Sequence, residues 1–192
     1  MRCSGPPGIS AGRQCSEHLR LTLPPAIPKV IPMPASSLEE ILQPFRFLVG
    51  HWQGRGVGLW DPDSSFEFQE DLKLELIPGR AIIRLTQRTV EVPSGSLSHS
   101  ELGFLRLFEG GEAELVVAIP AGYTEVHEGR LEGQELQLRL VTLGVAPRAR
   151  PLSRTGRSLA LRAGQLHHRI DIAVGEGAPV AHVASSLNRV GA

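Results

Sequence analysis

From about Val49 onward the apolar residues recur at every second position, in short runs separated by turn residues. Leu72-Lys73-Leu74-Glu75-Leu76 alternates cleanly, as do Phe66-Glu67-Phe68 and Leu136-Gln137-Leu138-Arg139-Leu140. A period of two puts alternate side chains on opposite faces, which is the pattern of a half-buried strand. Between the runs stand Asp61-Pro62-Asp63, Pro78-Gly79, Pro93-Ser94-Gly95, Gly110-Gly111, Glu132-Gly133, Ala163-Gly164 and Gly175-Glu176-Gly177. These residues reverse the backbone at little steric cost. The connections are too short for crossover helices, so neighbouring strands must run antiparallel. The expected fold is all-β: an antiparallel up-and-down β-barrel of about ten strands, with room for one small ligand.

A short helix is expected before the strands. Ser37 and Glu40 have capping-box spacing, and Leu38, Ile41, Leu42 and Phe45 recur at helical intervals until Pro44 limits the run. Residues 1–36 read as a disordered Pro-rich tail, because Pro6, Pro7, Pro24, Pro25, Pro28, Pro32 and Pro34 break any regular element. Residues 37–192 are then the barrel domain. A proline motif that binds a partner is the functional alternative for the tail.

Charge removes several classes of function. Lys plus Arg and Asp plus Glu both number 20, so the formal net charge is zero. A general nucleic-acid binder or a polybasic membrane binder needs surplus cations. No apolar run approaches the roughly 20 residues of a membrane-spanning helix. Cys3 and Cys15 are the only cysteines, so no disulfide framework holds the body of the chain. The first residues lack the continuous apolar stretch of a signal peptide. The expectation is a soluble cytoplasmic protein, a homodimer being one of the assemblies the sequence allows.

Two features stand out as chemistry. In Gly50-His51-Trp52-Gln53-Gly54-Arg55-Gly56, with Gly58 beyond, one strand face carries a single indole and otherwise no side chain. Such a face either takes the bend of a small barrel, with Trp52 plugging its base, or lets a flat ligand approach the backbone. The opposite face, His51, Gln53 and Arg55, reads as solvated. The second feature is His182, whose strand holds small or apolar residues on both faces. Alternation leaves open whether it is a metal ligand or a buried, hydrogen-bonded histidine.

Gly-x-Trp-x-Gly-x-Gly at Gly50, Trp52, Gly54 and Gly56 resembles the hallmark of the nitrobindin family of haem-binding barrels. The likeness continues in chain order through Phe66-Glu67-Phe68-Gln69-Glu70-Asp71, Leu85-Thr86-Gln87-Arg88-Thr89 and His99-Ser100-Glu101-Leu102-Gly103-Phe104-Leu105-Arg106. It ends at His182-Val183-Ala184-Ser185-Ser186-Leu187-Asn188-Arg189, which is similar to the family's last strand. The resemblance implies haem b held through His182 as iron ligand, with Arg80 as a cation for a haem propionate. It implies peroxynitrite isomerisation to nitrate at ferric haem, weak nitric oxide binding, and no assignable catalytic side chain. Three departures weigh against simple transfer. Trp60-Asp61-Pro62 stands where many members have Tyr-Pro-Thr, Arg80 replaces a lysine, and Ala118-Ile119-Pro120 replaces Ala-His-Pro.

The remaining histidines rank lower as ligands. His167 and His168 point to opposite faces, with a surface or rim position expected for both. His99 is expected to hydrogen-bond structurally or to face the ligand; His51 and His127 read as exposed, and His18 lies in the tail. No Cys/His set has zinc spacing, and no nucleophile elbow, Walker loop or dinucleotide fingerprint is present. A competing reading from a different class is a non-enzymatic barrel carrying a fatty acid or other apolar ligand. It rests on an apolar lining of Phe104, Leu115, Val117 and Ile119.

Overall fold

The computed structural model describes residues 35–61, 64–150, 154–173 and 180–191. Ten strands follow one another: β1 (Gly50–Asp61), β2 (Ser64–Leu76), β3 (Ile82–Val92), β4 (Leu97–Leu107), β5 (Glu112–Ile119), β6 (Tyr123–Glu132), β7 (Glu135–Val145), β8 (Arg154–Arg162), β9 (Gln165–Ala173) and β10 (Val180–Arg189). Each pairs antiparallel with its neighbours in sequence, and β10 closes on β1, so the sheet is a closed barrel without an edge. The all-β, ten-stranded up-and-down architecture expected from the two-residue period is the one observed.

The helix α1 (Ala35–Leu42) starts two residues before Ser37, so Ser37 and Glu40 lie inside it rather than framing its N-terminus. Pro44 then falls in a single 3-10 turn, Gln43–Phe45, where a proline near the start sacrifices no hydrogen bond. Ile41, Leu42, Phe45 and Leu48 are buried against the barrel core. Helix and turn therefore close one end of the barrel.

That closed end is apolar throughout. Leu72 and Leu74 from β2, Ile83 from β3, Leu136 from β7, Leu166 from β9 and Leu187 from β10 reach it from all sides, each fully buried. At its centre lies Trp52, 1% exposed, with its indole N–H donating to the Leu48 carbonyl at 2.8 Å. The Arg189 guanidinium stacks 4.3 Å from the indole centroid and donates to the carbonyls of Val49 and Phe47. The last strand is thus tied to the segment that leads into the first.

Pairing irregularities collect toward the other end. The register shifts between Leu59 and Asp61, Thr89 and Val90, Val126 and His127, and Ala181 and Val183. A bulge breaks the strict alternation and re-aims a side chain. His182 is the extra residue in the last of these.

Candidate functional site

On β10 the residues Ser185 and Leu187 are buried and face the interior. Val183 pairs with Ile170, and Ala181 with Asp171, which leaves His182 unopposed in the ladder. The bulge releases His182 from the alternation that the sequence could not decide, and its imidazole is half-buried. Burial pushes its pKa below the ordinary value; a hydrogen bond to the Leu59 backbone acts the other way, and nearby His99 again lowers it. The neutral form is the one that binds a metal. The hydrogen bond to the Leu59 backbone can engage only one of the two ring nitrogens. Nearby in the ladder, Gly58 pairs with both Val183 and Phe66, Phe66 and Phe68 lie 5.9 Å apart between centroids, and Ile170, the partner of Val183, is buried.

The same interior also holds buried charged groups. Arg157 on β8 is buried and donates to Glu101 on β4 at 2.6 Å and to Glu125 on β6 at 2.8 Å. Glu101 also meets His99 at 3.4 Å, and Glu125 meets His127 at 2.9 Å. A second cluster centres on Glu70 of β2, which accepts from Ser185 at 2.5 Å and Gln87 at 2.8 Å and pairs with His168 at 2.8 Å. Burial opposes ionisation of Glu101, yet Arg157 and His99 outweigh it and hold the carboxyl far below the usual range. Glu125 and Glu70 are likewise held down despite burial, Glu125 by His127 and Arg157, Glu70 by His168, Ser185 and Gln87. Arg157 in turn is held even more firmly protonated than a free arginine, burial being outweighed by its two carboxylates. These are charge-assisted contacts in a low-dielectric interior, where an unpaired member would be costly.

The sequence-singled residues fall in separate places. Trp52 lies in the closed end, and the glycine face is not bare. The ring of Phe68 occupies the space a side chain would need at Gly56, that of Phe66 the space at Gly58, and the Ser186 carbonyl the space at Gly54. Gly50 (φ 152°) stands against the Arg189 side chain. The glycines thus let the chain's own atoms pack closely. Arg80 is exposed in the β2–β3 turn. Gly58 pairs with both Val183 and Phe66, and β2 runs ten residues from Phe66 to that turn. At 3.3 Å per residue Arg80 and His182 are about 30 Å apart along the barrel. The expected pairing of Arg80 with a group on His182 is therefore not made.

Other expectations are corrected by strand direction. His127 is fully buried on Glu125 rather than exposed, and His168 is buried on Glu70 rather than at the rim. Its neighbour His167 contacts Ser186 at 3.1 Å. His51 is half-buried beside Asp71, at 2.8 Å. Phe104 points outward at 43% exposure, so it does not line the interior, whereas Leu115 and Val117 do and Ile119 is half-buried. Pro62 and His18 lie outside the described residues, as do residues 1–34 of the expected tail, whereas its last two, Ala35 and Ser36, belong to α1. The residues that sequence reasoning missed are Glu70, Glu101, Glu125 and Arg157.

The family model for the THAP4-like, heme-binding β-barrel domain matches residues 41–189. The chain belongs to this family, the nitrobindins. Peroxynitrite isomerase 1 of Rhodococcus jostii is 37% identical over 134 residues, 69% of this chain and 73% of that protein. Peroxynitrite isomerase 1 of Mycobacterium tuberculosis strain H37Rv is 34% identical over 161 residues, 79% of this chain and 96% of that protein. The crystal structure of Rv2717c from M. tuberculosis superposes with a TM-score of 0.70 at 30% identity, covering 78% of this chain and 97% of its own. An S-type phycobiliprotein lyase from Guillardia theta, at 13% identity and a TM-score of 0.55, shares the fold alone.

The nitrobindin interior found here fits a haem in the chemistry of its donor. Among the described residues no three His, Cys, Asp or Glu side chains are placed to hold a bare metal ion. His182 instead offers a single half-buried imidazole whose lowered pKa favours the neutral form, a donor suited to the iron of a haem rather than to a bare ion.

Proposed function

We propose that this nitrobindin holds haem b through His182 as the sole protein ligand to iron, and that it isomerises peroxynitrite to nitrate at the ferric haem. The observation that carries the reading is the bulge at Ala181/Val183, which frees His182 from strand alternation beside the Leu59 carbonyl and His99. Held by His182, ferric haem would supply the electrophilic iron for peroxynitrite isomerisation and for weak nitric oxide binding. The chain's part is to orient and to exclude. The Leu59 carbonyl fixes the His182 ring, Phe66 and Phe68 keep water from one wall, and the closed end prevents passage through the barrel. No side chain is assigned as a proton donor or acceptor, since the conversion of peroxynitrite to nitrate moves no proton overall.

Four small-molecule expectations follow together: haem b, ferric iron, peroxynitrite as substrate and nitric oxide as a weak ligand. Residues 37–192 are the domain that performs them, in the cytoplasm. The carboxylates of the polar layer disfavour the competing reading of a fatty-acid carrier, because a chain pushed past the mouth would strip Glu101 and Glu125 of their partners. The test is stopped-flow decay of peroxynitrite with nitrate and nitrite measured as products. Haemin-loaded protein is expected to speed decay and raise the nitrate share above that with free haemin; His182→Ala is expected to abolish the difference. Equal nitrate yields from wild type and His182→Ala would reject the assignment.

A further inference from the structure

A closed barrel has no strand edge to offer, so a sheet contact with another protein must use an outer face. Those faces differ in chemistry. Around β1 and β2 the outward residues are chiefly polar: His51, Gln53, Arg55, Glu67, Asp71 and Lys73. On the opposite side of the barrel, β4 to β7 turn apolar side chains to water. Among the described residues nine large hydrophobic side chains are exposed, and five of them, Leu102, Phe104, Val116, Val141 and Val145, belong to this one stretch. The other four lie on β1, at the start of β4, at the start of β10 and just beyond its end.

Strand pairing sets the five side by side. Phe104 pairs with Val116, Val116 with Val126 and Val126 with Thr142, and Val141 is the extra residue at the adjacent register shift. The next row reads Leu102, Ala118, Thr124 and Gly144. From strand and residue spacings the patch covers about 300 Å², a size at which a contiguous apolar patch is often functional. A stable interface takes about 800 Å² from each partner, as an apolar centre inside a polar rim. The patch is large enough to be such a centre.

The same face carries a projection and a hollow. The projection is Phe104, 43% exposed. The hollow is a groove of about 950 Å³ along Leu102, Ala118, Ile119, Tyr123, Val145 and Ala146. The segment after β7 walls it, held by the Ala146 N–H donating to the Gly122 carbonyl and the Tyr123 hydroxyl donating to the Arg150 carbonyl, both at 2.8 Å. Phe104 stands two residues from Leu102, about 7 Å along β4. A two-fold axis between them sets the Phe104 of each copy toward the groove of the other. The rim permits this pairing, because Arg106 and Glu114 form an exposed ion pair beside Phe104 and Val116 and so offer both signs to an identical surface. The formal net charge of zero removes long-range repulsion between copies.

We propose that the outer face of β4 to β7 is the interface of a homodimer, with Leu102 and Phe104 at its centre. An aromatic anchor entering an apolar hollow is the kind of contact that dominates interface energies. The interface is independent of what the barrel holds: Leu102 and Phe104 point outward, whereas Glu101, Gly103 and Leu105 between and beside them are buried.

The test is the molar mass of the full-length protein, by light scattering after size exclusion and by sedimentation velocity over a range of concentrations. The wild type is expected at twice the chain mass. Leu102→Glu and Phe104→Glu each bring two like charges into the centre, one from each copy, and are expected to weaken association about a hundredfold or more. Both positions face water in the single chain, so circular dichroism should show an unchanged barrel. Val57→Glu, at a residue 53% exposed on β1 across the barrel, is expected to leave the dimer intact. A wild type of single-chain mass throughout, whether empty or carrying an apolar ligand detected by native mass spectrometry, would overturn the proposal. A dimer that survives both β4 variants in folded form would do the same, as would a dimer broken equally by Val57→Glu.

Discussion

The two ends of the barrel are built from the same strands to opposite specifications. At the closed end every inward position is aliphatic or aromatic, from Phe45 and Leu48 through Trp52, Leu74 and Leu187. Toward the other end the same strands carry Glu70, Glu101, Glu125, His127, Arg157 and His168 inward. Regular pairing also belongs to the first, while the four register shifts lie toward the second. An apolar plug gains from complete burial and needs no direction. A polar layer must place every donor on an acceptor, and the strands bend to allow it. Stability and chemistry are thus separated along the axis of one sheet.

The separation predicts unequal consequences. Trp52→Ala is expected to cost about 3–5 kcal/mol in urea unfolding, from lost burial and the cavity that remains. Its haemin affinity should stay within about threefold of wild type, since Trp52 lies in the apolar core at one end of the barrel and His182 toward the other. A large loss of affinity in a folded Trp52→Ala protein would mean that the two ends are not independent.

The next effect belongs to the polar layer. Glu125→Gln is expected to cost about 1–3 kcal/mol, because His127 and Arg157 each lose a charged acceptor. The same carboxylates set an acid limit. Glu70, Glu101 and Glu125 have folded pKa values below the unfolded value of about 4.3. Their stabilisation is whole above roughly pH 5 and is lost as pH falls toward the folded values. Urea midpoints measured from pH 7 to pH 2 should therefore decline below pH 5, less steeply in Glu101→Gln. A parallel decline in that variant would remove Glu101 from the account.

The smallest effect lies outside the barrel. Arg84 and Glu75 form an exposed pair at 2.9 Å, so Arg84→Ala should change stability by less than about 1 kcal/mol. A larger loss would show that the outer surface contributes more than the contrast between the two ends allows.

The closed end was legible in the sequence because burial there obeys the two-residue period: Leu72 and Leu74 on β2, Leu136 and Leu138 on β7. Turn residues gave the strand number. The polar layer was harder to see because charge ordinarily marks a solvated face. Its signal is parity. Glu70 has the same parity as Phe68 and Leu72, Glu101 as Leu105, and Arg157 as Leu159, so each stands on a face that its neighbours declare buried. Glu125 and His127 carried no such cue, since Val126 between them is the apolar residue. The direction of His182 was not legible at all: it follows from a bulge, and a bulge is set by how β10 meets β9 rather than by β10's own residues. Arg80 shows the converse limit, a cation that resemblance brought to the site and the register of β2 removes from it.

The account stands on His182 as the ligand of a bound haem. A haemin titration of wild type and His182→Ala, read at the Soret band with circular dichroism to verify the fold, tests this most directly. A saturable Soret shift at one haemin per chain in wild type, absent or strongly weakened in folded His182→Ala, is the predicted result. An identical shift and affinity in the two proteins would contradict it.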